Sequence, residues 1–491
     1  NVALSAGNSI LDANAGSLNV SATSLSLAAT GGLIGGSDTG NINADVNDNA
    51  IEIAVSNLAA SSDAGIYLSE ADGLTITTVA AVTVDIESVV RVNFNSTTID
   101  VSENQTRSSL EDLSTTTDGP IKIVSLAGSL TINGGSGGPG VSADGSGDVL
   151  LEAAQDVITN ADVVSGTGNI TLDAGNDLDV NAALTSGGSG TIYLTSVSNT
   201  TIDSQLTSDT GDILVESGVD ITQTAAITST SGDIGLIAGS TLAQTTNGDI
   251  TTGGDVLVSA GTDWTMAGDT VITATGNVVG EALSGDIGLG VINGVNVALS
   301  ASNSILDSNA GSLNVSATSL SLVATSGLIG GSDTGNGNAD ANDNAIDITV
   351  STLAANAESG IYLSETDGLT VTTVAAVTVD IESVVRVNFN STTDDVSEDR
   401  TASSLEDLST DTDGPIKLVS QAGSLTIDGG SGGPGVSANG SGDVLLEAAQ
   451  DVIANADVIS GTGNITLDAG NDLDVNAAVT SGGSGTIYLT S

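Results

Sequence analysis

The stretch GNITLDAGNDLDVNAALTSG (residues 168–187) alternates aliphatic with polar side chains in three short runs. Successive side chains of a β-strand point to opposite faces, so this alternation predicts three strands that share one apolar face. Corners rich in Gly and Asn separate the runs, and Gly accepts the backbone conformations that tight corners require. The predicted apolar positions are Ile170, Leu172, Ala174, Leu178, Val180, Ala182 and Leu184.

The same pattern returns at a spacing of about 21–22 residues, a period typical of stacked repeats. A Gly followed by Asp, Asn or Thr and then Ile or Val begins at Gly147, Gly168, Gly190, Gly211, Gly232, Gly254 and Gly276. A coil of this length cannot bury its own apolar face and must stack on its neighbours. We therefore predict an all-β fold, a right-handed parallel β-helix (β-solenoid) with about 21–22 residues per rung, rungs about 4.8 Å apart and about 23 rungs in all.

A second, much longer repeat contains the first one. Residues 1–196 align without a gap to residues 296–491, at an offset of 295, and 27 of the 196 aligned positions differ. We interpret residues 1–295 as a first copy, about 65 Å long at the rung spacing above, and residues 296–491 as a partial second copy. Because the chain starts and stops inside this pattern, we expect it to be a fragment of a longer polypeptide.

Composition excludes several classes of protein. Aromatic residues make up 1% of the chain and hydrophobic residues 39%, which predicts a thin core of small aliphatic side chains. The 61 acidic and 6 basic residues give a net charge of −55, which argues against nucleic acid or anionic membranes as partners. The chain has no Cys and no His, and it has no apolar run long enough to span a membrane.

One irregular element in each copy lacks the Gly spacing. Residues 81–118, and 376–413 in the second copy, begin with a long β-branched run that predicts an extended strand. Residues 108–114 give a weak signal for a short helix. Both Phe residues and all cations lie in or near these elements, so we single out Arg91, Phe94, Lys122, Arg386, Phe389 and Lys417 as interaction candidates. Local ion pairs within an elaborated rung are the alternative interpretation.

A possible calcium site lies upstream of each irregular element. The sequence DVNDNA (residues 45–50) recurs as DANDNA at residues 340–345 and is close to the linker motif of cadherins, which bind calcium there. The candidate ligands are Asp45, Asn47, Asp48, Asp340, Asn342 and Asp343. Calcium requires six to eight oxygens, and the motif here is followed by Ile where cadherins have Pro. A polar turn is the interpretation we favour; no cofactor is required, and calcium is the one candidate.

The carboxylates give no indication of catalysis. Pairs such as Asp177 and Asp179 alternate outward along a strand, where they are solvated, and general acid catalysis needs a carboxyl with a raised pKa. We therefore expect no enzymatic activity.

Several stretches resemble a known family. SGDIGLIAGS (residues 231–240), GNITLDAGNDLDV (residues 168–180) and GDVLVSAGTDW (residues 254–264) are similar to the repeats of filamentous haemagglutinin-type adhesins and of very large repetitive bacterial surface proteins. The resemblance covers most of the chain but its motifs are generic. It implies an extracellular, right-handed β-helical shaft on the bacterial surface.

These observations predict a structural role. We expect a stiff extracellular fibre or stalk that assembles into filaments or matrix, whose partners are further repeats of the same chain and lateral copies of itself. An adhesin whose rod surface binds glycans or host receptors is the alternative, although the scarcity of aromatic residues argues against it.

Overall fold

The fold is built from β-strands. The computed structural model describes residues 1–334 and 342–491, and these residues contain 53 strands and no helix. The described part therefore includes no helix of the length and hydropathy that a membrane crossing requires. The chain divides into two compact modules. The first module comprises residues 1–197 and 385–395, and the second comprises residues 198–384 and 396–491.

Nineteen strands lie in residues 1–197. They are β1 (Val2–Ala6), β2 (Val20–Ala29), β3 (Leu33–Ile34), β4 (Ile51–Ser62), β5 (Gly65–Glu70), β6 (Leu74–Thr77), β7 (Val82–Val92), β8 (Thr98–Arg107), β9 (Leu113–Thr115), β10 (Ile121–Ser125), β11 (Leu130–Gly134), β12 (Val141–Ala143), β13 (Val149–Ala153), β14 (Val157–Thr159), β15 (Val163–Ser165), β16 (Ile170–Ala174), β17 (Leu178–Val180), β18 (Leu184–Ser186) and β19 (Ile192–Ser196).

Strands β20 to β40 follow in the second module. They are β20 (Thr200–Ile202), β21 (Leu206–Ser208), β22 (Ile213–Ser217), β23 (Ile221–Gln223), β24 (Ile227–Ser229), β25 (Ile234–Ala238), β26 (Leu242–Gln244), β27 (Ile250–Thr252), β28 (Val256–Ala260), β29 (Trp264–Met266), β30 (Val271–Ala274), β31 (Val278–Ala282), β32 (Ile287–Leu289), β33 (Val291–Asn293), β34 (Asn296–Ala301), β35 (Ile305–Asp307), β36 (Val315–Ala324), β37 (Leu328–Ile329), β38 (Ile346–Ala357), β39 (Gly360–Glu365) and β40 (Leu369–Thr372).

The remaining strands are β41 (Val377–Val387), β42 (Thr393–Ala402), β43 (Leu408–Thr410), β44 (Ile416–Ser420), β45 (Leu425–Gly429), β46 (Val436–Ala438), β47 (Val444–Ala448), β48 (Val452–Ala454), β49 (Val458–Ser460), β50 (Ile465–Ala469), β51 (Leu473–Val475), β52 (Val479–Ser481) and β53 (Ile487–Thr490). The end of β41 and the start of β42 belong to the first module.

The predicted rung is confirmed in the first module. The stretch quoted above forms the three strands β16, β17 and β18, and each pairs in parallel with the strand one rung earlier. Val149 pairs with Ile170, and Ile170 pairs in turn with Ile192, so the pairing follows the Gly spacing of the sequence. Three ladders result, β5–β10–β13–β16–β19, β6–β11–β14–β17 and β9–β12–β15–β18. The fold is an all-β parallel β-solenoid, and the right-handed sense stays a prediction.

The second module repeats this arrangement. Ile213 pairs with Ile234, and Ile234 pairs with Val256, again one rung apart each time. Parallel ladders β22–β25–β28–β31–β34, β20–β23–β26–β29–β32–β35 and β21–β24–β27–β30–β33 form its first part. Strands β44–β47–β50–β53 continue the same pattern in the second copy.

The core is the column of inward aliphatic side chains. Ile170, Leu172, Leu178, Val180 and Leu184 are all fully buried. Trp264 is also fully buried, and its indole N–H donates to the Gln244 side-chain oxygen at 2.8 Å. A buried Trp needs such a partner because an unpaired N–H in an apolar core is costly.

The irregular elements become hairpins on the solenoid. Strands β7 and β8 pair antiparallel with Val82 opposite Arg107, and β41 and β42 form the matching two-stranded sheet. We call them hairpin 1 and hairpin 2. The predicted extended run is confirmed, but the helix expected at residues 108–114 is wrong. Leu113 instead begins β9, which pairs with both β4 and β12 and buries Leu113 completely.

Stacked corners depend on Gly. A Cβ atom on Gly168 would lie 2.5 Å from the carbonyl oxygen of Gly147, one rung away, because the backbones at successive corners touch. Backbone atoms in a stacked corner cannot move aside independently. By contrast, Gly137 lies in a loop where an added Cβ would meet nothing within 4 Å.

We expect Gly168→Ala to destabilise the solenoid by about 1–3 kcal/mol, the usual cost of forcing an extra methyl group into a packed site. Gly137→Ala is the matched control and should change stability by less than about 0.5 kcal/mol. Urea unfolding followed by circular dichroism measures both. Equal unfolding midpoints for the two variants would show that the corners are not in contact.

Candidate interaction site

The site lies in the first module, where the tip of hairpin 2 packs on the outward face of the solenoid. The hairpin tip is defined here as residues 385–395, which group with residues 1–197. The surface that it covers is called the socket. The socket is formed by Ala50, Tyr67, Lys122, Val124, Leu150 and Thr171, which come from β5, β10, β13, β16 and the turn before β4.

Apolar side chains form the centre of the contact. Phe389 and Val387 of the tip are buried and pack with Tyr67, Val124 and Leu150 in one cluster. Leu150 is an outward-facing residue, since its neighbours Val149 and Leu151 point into the core. Burying a Phe side chain contributes about 1.5–3 kcal/mol, so Phe389 is the main apolar anchor.

Hydroxyl groups of the solenoid bind the backbone of the tip. The Thr171 hydroxyl oxygen accepts from the Val387 N–H at 2.9 Å, and the Thr191 hydroxyl oxygen accepts from the Val385 N–H at 3.0 Å. The edge of β41 therefore has partners for its backbone donors. These bonds fix the position of the tip along the solenoid.

The loop that precedes β4 closes the other side of the tip. The Asn390 N–H donates to the Ala44 carbonyl at 3.0 Å, and the Asn390 carbonyl accepts from the Asp38 N–H at 3.2 Å. The Asn47 side chain donates to the Phe389 carbonyl at 3.2 Å and to the Gly36 carbonyl at 2.9 Å. The amide nitrogen of Asn47, a calcium candidate from the sequence, therefore forms a hydrogen bond to the tip.

Lys122 of β10 binds a backbone carbonyl of the tip. It is 1% exposed, and its Nζ donates to the Asn388 carbonyl at 2.7 Å. Burial lowers the pKa of Lys122 to about 8, against a smaller opposite effect of the Asp148 carboxylate. A buried ammonium group without a partner is very costly, so the carbonyl of the tip is a required part of the site.

Arg386 joins the tip to two carboxylates. Its guanidinium lies 3.1 Å from Asp173 and 3.5 Å from Asp45. Both acids also lie near Glu152. Burial raises the pKa of Glu152 to about 7, and the negative charges of Asp173 and Asp45 add to this rise. The positive charge of Arg386 has the opposite effect and lowers the pKa. Arg386, one of the six basic residues of the chain, therefore lies beside the carboxylates of Asp173, Asp45 and Glu152.

The base of hairpin 2 packs within the second module. The Ile381 side chain would clash with a Cβ added at Gly235, and the Asn277 side chain donates to the Thr378 carbonyl at 3.1 Å. Arg400 pairs with Glu281 at 2.9 Å. Gly235 stands where the neighbouring rungs have Leu214 and Leu257 in their outward positions, which makes room for Ile381.

The second copy carries the same socket residues in a different state. Tyr362, Lys417, Val419 and Leu445 are the counterparts of Tyr67, Lys122, Val124 and Leu150, and they line a cavity of about 920 Å³ in the second module. Lys417 is only half-buried and has no hydrogen bond or ion pair with any described residue. Leu445 is likewise half-buried, whereas Leu150 is fully buried.

Hairpin 1 is the exposed counterpart of hairpin 2. Residues 82–92 and 377–387 have the same sequence, but β7 is exposed along almost its whole length whereas β41 buries every apolar residue except the half-buried Val385. Phe94 is fully exposed, and Arg91 is exposed as well. Two identical segments therefore show the docked and the undocked state of one element.

The described calcium candidates have different partners. The Asp48 N–H donates to the Asp38 carboxylate at 3.4 Å, and Asp45 lies beside Arg386. Asn342 donates to the Gly331 carbonyl at 2.8 Å, and Asp343 lines the cavity. Asp340 lies outside the described residues. Residues 1–334 and 342–491 include no group of three or more acidic side chains arranged to hold a metal ion.

Comparisons with protein-family models, curated proteins and solved structures found no match. The contacts and charges of the described residues are therefore what bears on function.

The structure brings three of the six interaction candidates, Lys122, Arg386 and Phe389, together in the first module. Lys417 lines the cavity in the second module, and Arg91 and Phe94 lie exposed on hairpin 1. Sequence reasoning missed Leu150, Thr171 and Tyr67. The available signal was the outward Leu150, which interrupts the polar positions of an alternating strand. An outward apolar residue of this kind indicates that something covers the strand.

Buried carboxylates lie apart from the socket, at the ends of β5 and β39. Glu70 is fully buried and accepts from the Val55 N–H at 3.1 Å, and Glu365 accepts from the Val350 N–H at 3.1 Å. Burial raises the pKa of each carboxyl to about 7. They bind backbone donors of the long strands β4 and β38, so their role is structural.

We expect Phe389→Ala to open the hairpin tip, at a cost of about 3–5 kcal/mol for deleting a buried Phe side chain. Phe94→Ala alters the same sequence in its exposed copy and should change local stability by less than about 0.5 kcal/mol. Hydrogen exchange of residues 385–395 measures the opening. Unchanged protection in Phe389→Ala at low protein concentration would contradict the docked tip.

We expect Glu70→Gln to stabilise the protein by about 1–3 kcal/mol at pH 8 and to have little effect at pH 5. The folded pKa of about 7 lies above the ordinary value of 4.5. The native state therefore binds the extra proton between these values, and stability falls as pH rises through this window. Urea unfolding at both pH values tests it, with the exposed Glu103→Gln as control. An equal shift at both pH values would show that Glu70 stays charged in the core.

Proposed function

We propose that this chain is a structural repeat shaft of a giant extracellular bacterial surface protein, a stiff fibre or stalk without enzymatic activity of its own. The observation that carries the proposal is the docked hairpin tip, because it adds a specific contact between distant parts of the chain to the regular stacking of rungs. The Lys122 to Asn388 bond joins residues 266 positions apart. A stalk that bears load benefits from such cross-connections.

Rung stacking supports stiffness. Within each module, rungs are held to one another by backbone hydrogen bonds on three ladders and by an apolar column, so bending would have to break bonds on one side. The near-identity of the two copies supports a length set by copy number. The likeness of the Gly-Asp-Ile stretches to haemagglutinin-type repeats supports the bacterial cell surface as the location.

Composition supports a shaft rather than a glycan-binding rod. Sugar binding on a β-helix depends on exposed aromatic side chains in shallow grooves. The chain has seven aromatic residues (two Phe, four Tyr and one Trp). Trp264 is part of the core, and Phe389 and Tyr67 are parts of the docked tip and its socket.

Two measurements test the proposal. Electron microscopy of the 491-residue chain and of a variant with one additional 295-residue copy should show rods that differ in length by about 65 Å. Antibody labelling of intact producing cells should reach the protein without permeabilisation. Equal rod lengths would refute the role of copy number, and labelling that requires permeabilised cells would refute the surface location.

A further inference from the structure

We infer that the socket of the second copy binds the tip of hairpin 1 from a second molecule of this chain. The inference rests on the proposed shaft function and identifies how molecules would join. The second-copy socket consists of Ala345, Tyr362, Lys417, Val419, Leu445 and Thr466, and the incoming tip consists of residues 90–100.

The docked counterparts of the two surfaces show that they fit. All six residues of the second-copy socket are the same as those of the docked socket. The tip of hairpin 1 matches the docked tip at every position except Ile99, which stands opposite Asp394 in the alignment. The contacts that Tyr67, Lys122, Val124, Leu150 and Thr171 make with residues 385–395 are therefore available to residues 90–100 from their counterparts in the second-copy socket.

The socket shows features of a surface whose partner is missing. Lys417 is the counterpart of a lysine that is fully buried and donates to a tip carbonyl, yet it has no partner among the described residues and opens on the cavity of about 920 Å³. The incoming Asn93 carbonyl corresponds to the Asn388 carbonyl that binds Lys122. Binding would supply Lys417 with the acceptor that Lys122 has.

The tip shows the complementary feature. Phe94, Val92 and Val90 are exposed on hairpin 1, whereas Phe389 and Val387 are buried in the docked state. Such a row of exposed aliphatic and aromatic side chains is unusual on a chain with so few aromatic residues, and exposed apolar patches mark binding surfaces. Arg91 provides a cation for Asp468, the counterpart of Asp173, which pairs with Arg386.

The proposed contact joins different surfaces on the two molecules. A tip in the first copy binds a socket in the second copy, so one molecule of a bound pair still offers a free socket and the other a free tip. Contacts of this heterologous kind produce open chains of molecules unless their geometry closes a ring. The inference therefore predicts growth of oligomers with concentration rather than a fixed dimer.

Cysteine pairs test the contact, since the chain has no cysteine of its own. Val92→Cys in one preparation is mixed with Thr466→Cys in another, of which one carries a tag. The corresponding docked atoms, the Val387 N–H and the Thr171 hydroxyl, lie 2.9 Å apart, which places the two side chains near disulfide distance. We expect a disulfide-linked heterodimer under mild oxidation.

Two controls make the result decisive. The double variant Val387→Cys with Thr171→Cys in a single chain should form an internal disulfide and shows that the geometry permits the bond. Val92→Cys mixed with Thr480→Cys, an exposed Thr on β52 away from the socket, gives the background of random collisions. If the internal bond forms but the Val92 and Thr466 pair gives only this background, the inference is wrong.

Sedimentation velocity provides an independent measurement without cysteines. The wild-type chain should associate more as its concentration rises from about 1 to 100 µM, a range typical of modest interfaces. Phe94→Ser should reduce this association at least tenfold, whereas Leu11→Ser, which alters another exposed residue of the first module, should not. Stiff rods that stay single at every concentration would overturn the docking inference and leave the shaft function intact.

Discussion

The structure depends on the fact that a single rung cannot bury its own apolar face. Each inward side chain, such as Ile170 or Leu172, is covered only because equivalent positions of the neighbouring rungs lie above and below it. The same stacking satisfies the backbone hydrogen-bond groups on all three sides. The backbones of successive corners then lie so close together that positions such as Gly168 have no space for a side chain. Thin core, small aliphatic residues and abundant Gly are consequences of this one requirement.

The hairpins show what the solenoid allows beyond this requirement. Outward-facing side chains are not needed for stacking, so these positions can carry binding residues while the rungs remain stacked. Lys122, Leu150 and Thr171 occupy outward positions on three consecutive rungs and together form a binding surface. The identical segments 82–92 and 377–387 are exposed in one place and buried in the other. Burial of these residues is therefore set by what lies opposite them rather than by their own sequence.

The strands, their order and the rung length could be predicted from alternation and Gly spacing, because stacking acts on every rung in the same way. The docked tip could not, because Phe389 and Leu150 are far apart along the chain and no periodic signal connects them. The helix expected at residues 108–114 failed for a related reason. A weak local preference for a helix was outweighed by two strand pairings and the complete burial of Leu113. Lys122 and Phe389 could be selected from the sequence because basic and Phe residues are rare in this chain. Their rarity indicated that they matter but did not identify the residues that they contact.

The distance along the chain between socket and tip has a consequence for synthesis. Lys122 emerges from the ribosome 266 residues before Asn388, the residue whose carbonyl it binds. At the usual rates of chain elongation this interval lasts about 13–50 s, far longer than local strand pairing takes. A socket that folds on the ribosome would be complete during that interval, before its own tip exists. Neighbouring nascent chains would then compete for it, so the density of ribosomes on one message would influence whether the tip is bound within its own chain or exchanged between chains.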